Sequence, residues 1–256
     1  MTYALPVFVA VALWWLSTIV ALYRIGLPAS TFRQTFVGIS VIAAVGVYAV
    51  FASLSMNSVL SAYVAFAGAL AIWSWHEFSY YLGYISGPVP VACPEGCTTW
   101  ERFVHGVKAS LYHELAIVVT ALLLVLVSWQ ADNQIAAGAF CIFWIMRWSA
   151  KINIFLGTRN VHMEFLPGHL QYLGSYMAQR PMNALFPFSM LAAAMVFGML
   201  LLDALSSSAS TLLTTGNLLL ATLLGLAALE HVFLMLKIPD AILWRLGTSS
   251  RRAGNV

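Results

Sequence analysis

This 256-residue chain has very little charge: Lys, Arg, Asp and Glu make up 8% of it. A water-soluble domain carries roughly 25% charged residues, so this chain cannot cover itself in water. With 61% apolar residues and a mean hydropathy of +0.87, it is expected to face lipid. A strong net charge is missing too. The balance is +3, which gives nucleic-acid binding no support. Three cysteines, Cys93, Cys97 and Cys141, are too few for a disulfide framework. The Cys-x3-Cys pair reads as loop thiols. A cleavable signal needs a basic stretch before its apolar run, and the first basic residue here, Arg24, follows that run. There is no Gly-rich phosphate loop, Ser–His–Asp set, Walker motif or His-Glu-x-x-His.

What is present is long apolar runs. A transmembrane helix takes about 20 mostly apolar residues. Seven stretches qualify, at roughly 4–23, 34–55, 59–82, 109–129, 134–153, 183–203 and 213–236. Residues 34–76 hold no Lys, Arg, Asp or Glu, enough for two helices divided by the polar segment 53–58. Strands are excluded by the cost of open sheet edges in lipid. The expected architecture is an all-α, polytopic integral membrane bundle forming one domain over 1–256.

Two connections are long. Residues 83–108, with Gly87-Pro88, Pro90 and Cys93-Pro94-Glu95-Gly96-Cys97, are expected as an irregular loop. In 154–182, Phe165, Leu166, Leu170, Leu173, Tyr176 and Met177 recur at near-helical spacing and predict a short interfacial helix. With seven spans, all twelve Lys and Arg residues fall in or beside the first, third and fifth connections and the C-terminal tail. The positive-inside rule makes that side cytoplasmic. The N-terminus is then periplasmic, 83–108 and 154–182 are cytoplasmic connections, and 239–256 is a cytoplasmic tail.

The few polar residues inside the spans are the informative ones. His76-Glu77 ends the third span, His113-Glu114 begins the fourth, and Glu230-His231 ends the seventh; His162, Glu164 and His169 lie in the fifth connection. At 1.5 Å per residue the three intramembrane couples sit at one depth, about 6–9 Å below the cytoplasmic face. A carboxylate in lipid is costly and must find a partner in the bundle interior. The set His76, Glu77, His113, Glu114, Glu164, His169, Glu230 and His231, supported by His162, Arg147 and Trp75, is therefore the candidate site.

Three readings compete for it. The first is a hydrogen-bond network that only fixes packing. The second is a di-metal (iron) centre, since carboxylates and imidazoles are the usual ligands of iron. The bundle motif Glu-x-x-His is absent, however, and adjacent His and Glu project about 100° apart, so each couple would supply one ligand and one supporting group. The third is a bound tetrapyrrole, with an imidazole on its central metal. Convergence at one depth favours a metal or cofactor over packing alone. Arg147 either snorkels to the cytoplasm or pairs with Glu164 or an anionic substrate group. His105 reads as a solvated interface residue.

Several strings resemble the photosynthetic complex assembly protein 2 family (PuhE) of purple phototrophic bacteria. They are Trp75-His76-Glu77, Gly87-Pro88, Cys93-Pro94-Glu95-Gly96, Trp100-Glu101-Arg102-Phe103, His113-Glu114-Leu115-Ala116 and Asn153-Ile154-Phe155-Leu156-Gly157. Two more are Glu164-Phe165-Leu166-Pro167-Gly168-His169-Leu170 and Arg180-Pro181-Met182-Asn183-Ala184-Leu185-Phe186-Pro187. The resemblance covers about 70–190. Val89 follows the Gly-Pro pair where that family often carries a basic residue. The resemblance implies a multi-pass protein of the bacterial inner membrane, a factor for assembly of the bacterial photosynthetic reaction centre or for supply of bacteriochlorophyll, with photosynthetic complex subunits or pigment as partners beside the lipid bilayer. The alternative function is a membrane di-metal oxidoreductase acting on a tetrapyrrole or isoprenoid.

Overall fold

The computed structural model describes residues 3–161, 163, 166–206 and 208–236. Its seven long helices are α1 (Ala4–Ile25), α2 (Phe32–Ser53), α3 (Val59–Tyr81), α4 (Thr99–Ser128), α5 (Ile135–Leu156), α6 (Leu185–Leu205) and α7 (Thr211–Met235). All seven are long and apolar enough to cross a membrane. Among the described residues there is no strand, only an isolated bridge between Thr158 and Gln179. The tail from 237 onward, including the expected segment 239–256, lies outside the described residues, as do His162 and Glu164.

Helix starts follow from local hydrogen bonding. The first turn of a helix leaves backbone N–H groups without intrahelical acceptors. The Ser58 hydroxyl takes one from Ser61 at 3.2 Å to start α3, and the Ser210 hydroxyl takes one from Leu213 to start α7. At α4 the Thr98 hydroxyl accepts from Glu101 N–H, while the Glu101 carboxylate accepts from Thr98 N–H at 2.8 Å. This reciprocal cap starts α4 at Thr99, so 99–108 is helix and not the irregular loop expected there. With 30 residues, α4 is about 45 Å long, more than the roughly 30 Å hydrocarbon core.

The fifth connection also differs from expectation. Among its described residues is a 3-10 helix, Gly168–Tyr176, shorter and tighter than the interfacial helix expected over 165–177. Asn183 completes the segment. Its side-chain amide donates to the Asn153 and Gly157 carbonyls, and its oxygen accepts from Leu185 and Phe186 N–H to cap α6. Asn160 similarly donates to the Phe233 and Leu236 carbonyls at the end of α7, each at 2.6 Å.

α3 is the centre of the bundle, packed against α1, α2, α4, α5 and α7. Its Ala62, Ala65, Phe66 and Ala69 are buried with Ile117, Phe140, Leu219 and Leu223. Small residues bring α2 and α3 together, as is usual in membranes. A Cβ on Gly68 would lie 2.8 Å from the Gly46 carbonyl oxygen.

The irregular segment 82–98 lies against α4. Gly87 runs so close that a Cβ there would overlap the Lys108 carbonyl, and His113 N–H donates to the Ser86 carbonyl at 3.0 Å. Cys93 and Cys97 are joined as a disulfide, which corrects the reading of them as loop thiols. Cys93 N–H donates to the Ser175 hydroxyl, and the Tyr176 hydroxyl donates to the Val91 carbonyl. These two bonds tie the segment to the 3-10 helix.

Candidate functional site

Four side chains from three helices make an ion-paired layer. Glu77 on α3 meets Arg147 on α5, with Nε 2.7 Å from Oε1. Arg147 turns a second nitrogen, 2.6 Å away, to Glu114 on α4. Lys151, one turn further along α5, donates to the same Glu114 oxygen at 2.6 Å and to the Ser110 hydroxyl at 2.9 Å. Arg147 and Lys151 are four residues apart and share a helix face, which lets one helix neutralise carboxylates from two others. Arg147 is 15% exposed and Glu114 7%. Arg147 therefore does not snorkel, and its partners are Glu77 and Glu114. A charge left alone in such a place would cost several kcal/mol.

The histidines divide into different environments. His76 is buried, with Nε2 3.0 Å from the Thr120 hydroxyl, which gives its own hydrogen to the Ala116 carbonyl. In a neutral ring Nε2 is thus the donor, and Nδ1 keeps its lone pair buried without a partner among the described residues. His113 is fully buried, its ring tilted over Tyr80 at 4.7 Å. Neither of its ring nitrogens has a hydrogen bond in the described structure, and Glu77 Oε1 is 3.9 Å away. His231 faces the Ala227 carbonyl at 2.8 Å through Nδ1 and the Ser149 hydroxyl at 3.0 Å through Nε2. A carbonyl can only accept, so Nδ1 carries the hydrogen and Nε2 accepts from Ser149, tethering α7 to α5.

Two candidates stand apart. His169 packs against Gly83 just past the end of α3 and meets Phe32 edge-on, its pKa held below the ordinary histidine range by partial burial. Trp75 donates to the Ser40 hydroxyl at 3.0 Å, pinning α3 to α2. His105 lies half-buried on α4. Among the described residues no three His, Cys, Asp or Glu side chains are grouped to hold a metal ion.

The ion pairs border a large cavity of about 790 Å³ between α1, α3, α4, α5, α7 and the fifth connection. Glu77, Glu114, Arg147, Lys151, Glu230 and His231 form its polar part. Trp14, Trp73, Phe143, Trp148, Phe155 and Phe233 are among its flat apolar walls. Ligand sites run to about 300–1,000 Å³, are mainly apolar and carry a few polar groups, and this space fits that description. Sequence reasoning found the carboxylates but missed Lys151 and Ser110. The signal was there: Arg147 and Lys151 at i and i+4 inside an apolar span.

Fold and site thus define a multi-pass helical membrane protein with a charged, cavity-lining layer in its interior. The chain belongs to the family described as Protein of unknown function (DUF3623), which it matches over residues 1–255. It is 32% identical over 237 residues to a Rhodobacter capsulatus protein described as "Uncharacterized 30.4 kDa protein in puhA 5'region"; the match covers 90% of this chain and 85% of that relative. No solved structure matches.

Proposed function

We propose that this chain is an inner-membrane factor for assembly of the bacterial photosynthetic reaction centre or supply of bacteriochlorophyll, and that its cavity holds a pigment or pigment precursor as cargo. The observation that carries this reading is the cavity itself: about 790 Å³, walled by tryptophan and phenylalanine, with its ion pairs at one part of the lining. The description of the Rhodobacter capsulatus relative, which places it beside puhA, supports the photosynthetic setting. The resemblance to the photosynthetic complex assembly protein 2 family points the same way. The ion pairs weigh against the di-metal oxidoreductase, because Arg147 and Lys151 already occupy oxygens of Glu77 and Glu114 that a metal would need. Deleting the gene in a phototrophic bacterium that carries it should lower reaction-centre absorbance in isolated membranes, and the intact gene should restore it. Unchanged absorbance would refute the proposal.

We further propose the orientation set by the basic residues, with the N-terminus periplasmic and the cavity in the cytoplasmic half. The loop that carries Cys93 and Cys97 then faces the cytoplasm; their disulfide weighs against this orientation, because disulfides are rare in that compartment. In intact cells treated with a membrane-impermeant reductant, a membrane-impermeant thiol reagent should leave both cysteines unlabelled, and opening the cells in the same reductant should expose them. Labelling of either one in intact cells would reverse the orientation.

A further inference from the structure

The segment between α3 and α4 is a strap across one wall of the cavity. Both of its ends are held by α4: the Ser86 carbonyl accepts from His113 N–H at 3.0 Å, and Thr98 caps the first turn. Its middle reaches over to the 3-10 helix. Cys93 N–H donates to the Ser175 hydroxyl at 2.9 Å, and that hydroxyl gives its own hydrogen to the Tyr172 carbonyl at 2.7 Å. The Tyr176 hydroxyl donates to the Val91 carbonyl. The Tyr176 ring packs on Gly106 of α4, and Leu173, Tyr176 and Met177 wall the cavity. The disulfide joins Cys93, which holds the 3-10 helix, to Cys97, which precedes the Thr98 cap. It turns a loose arm into a closed turn, where Gly96 supplies the positive φ of 81°. Both cysteines are partly exposed on an otherwise exposed stretch, 91–98, and Cys141 is unpaired within α5.

We propose that the Cys93–Cys97 disulfide is a reversible modification site for a dithiol reductant, and that its reduction unclasps the 3-10 helix and opens the cavity to exchange. The inference rests on the orientation proposed above. A disulfide in the cytoplasm is rare, and where one occurs it is usually transient and redox-sensing or catalytic. The basic residues and the disulfide are compatible on those terms. In the exchange, a thiolate of the reductant attacks one sulfur and forms a mixed disulfide, and the reductant's second thiol then closes its own S–S bond. Two electrons and two protons pass to Cys93 and Cys97, which become thiols, while the reductant becomes a disulfide. Cys93 is then joined to α4 only through Pro94, Glu95 and Gly96. A disulfide stabilises chiefly by restricting the chain in its open state, and the open state here is the strap lifted off the 3-10 helix. The bundle stays packed while this one wall loosens. A clasped wall keeps cargo in or out, and a freed wall lets it exchange.

The test uses the purified full-length protein in nanodiscs of zwitterionic lipid, oxidised and after dithiothreitol, with each state confirmed by intact mass. Amide hydrogen exchange over residues 168–177 is followed by mass spectrometry. Reduction should speed it roughly tenfold and leave α6 unchanged. A double variant, Cys93→Ser with Cys97→Ser, should exchange at the reduced rate with or without dithiothreitol. Equal exchange in the two states of the native protein, or acceleration spread evenly over all the helices, overturns the latch. Entry is timed with dibrominated methyl stearate, which quenches the cavity tryptophans Trp14, Trp73 and Trp148. Its association should be roughly tenfold faster after reduction, and an unchanged rate overturns the gating. No saturable quenching in either state refutes the cavity reading alone, and the exchange comparison still decides the latch. Labelling of either cysteine in intact cells removes the reducing compartment and overturns the switch, whatever the exchange rates.

Discussion

α3 and α6 are both apolar helices of membrane-spanning length, yet they play opposite parts. In the most apolar stretch of α3, 56% of the residues are buried inside the protein, against 6% in α6. The more apolar helix is the outer one. α3 carries Ser61, Ser74, His76, Glu77 and Ser79, and these residues require protein around them. α6 shows Leu191, Met195, Met199 and Leu202 outward, which lipid solvates well. Once a span is long enough to cross, polar residues rather than apolar ones reveal whether it sits at the centre. The reason is energetic: lipid accepts leucine as readily as a protein core does, but it does not accept a carboxylate.

The sharpest way to break this contrast is to remove the cation at the centre. Arg147→Met leaves Glu77 and Glu114 without their shared partner and should cost about 3–5 kcal/mol. The thermal unfolding midpoint in detergent would show it as a large fall. Arg147→Lys should recover little of the loss, because one ammonium cannot reach both carboxylates in the fork geometry. The next largest effect compares two glycines. Gly68→Leu drives a side chain into Gly46 and Val50 at the α2–α3 contact and should cost about 1–3 kcal/mol. Gly198→Leu on α6 points into open space and should leave the midpoint nearly unchanged. Equal tolerance at both positions would show that α3 is not the packed centre. The smallest effect is at His231, whose bonds to Ser149 and Ala227 join α7 to α5. His231→Ala should lower stability by about 0.6–1.7 kcal/mol, the range for interhelical hydrogen bonds in membranes.

The number and rough limits of the helices were legible in the sequence, since apolar length alone demands them. The break between α2 and α3 was legible in the polar segment 53–58. The start of α4 was also written there, as Thr98-x-x-Glu101, but hydropathy overlooks a capped polar turn beyond the bilayer. At the site, Glu77 and Glu114 stood out because charge inside a span is rare. Their partners did not, since a sequence does not say which faces of α3, α4 and α5 meet. For that reason Arg147 reads either as a snorkelling residue or as a partner for Glu164 or an anionic substrate group, and Lys151 as one more cytoplasmic marker. The disulfide between Cys93 and Cys97 depends on the path of the 82–98 segment along α4, which no local pattern encodes. His169, grouped with the couples by residue type, packs beside Gly83 and Phe32 instead.

The account stands or falls on whether the charged layer of α3, α4 and α5 serves a cavity that holds cargo or only holds helices together. The most direct measurement is a titration of the purified protein with an esterified chlorin, read by tryptophan quenching and by the chlorin's own absorption. The account predicts saturation at one molecule per chain, and loss of that binding in a folded Ala227→Phe variant. A well-folded native protein that shows no saturable binding, or a cavity-filled variant that binds equally well, would contradict it.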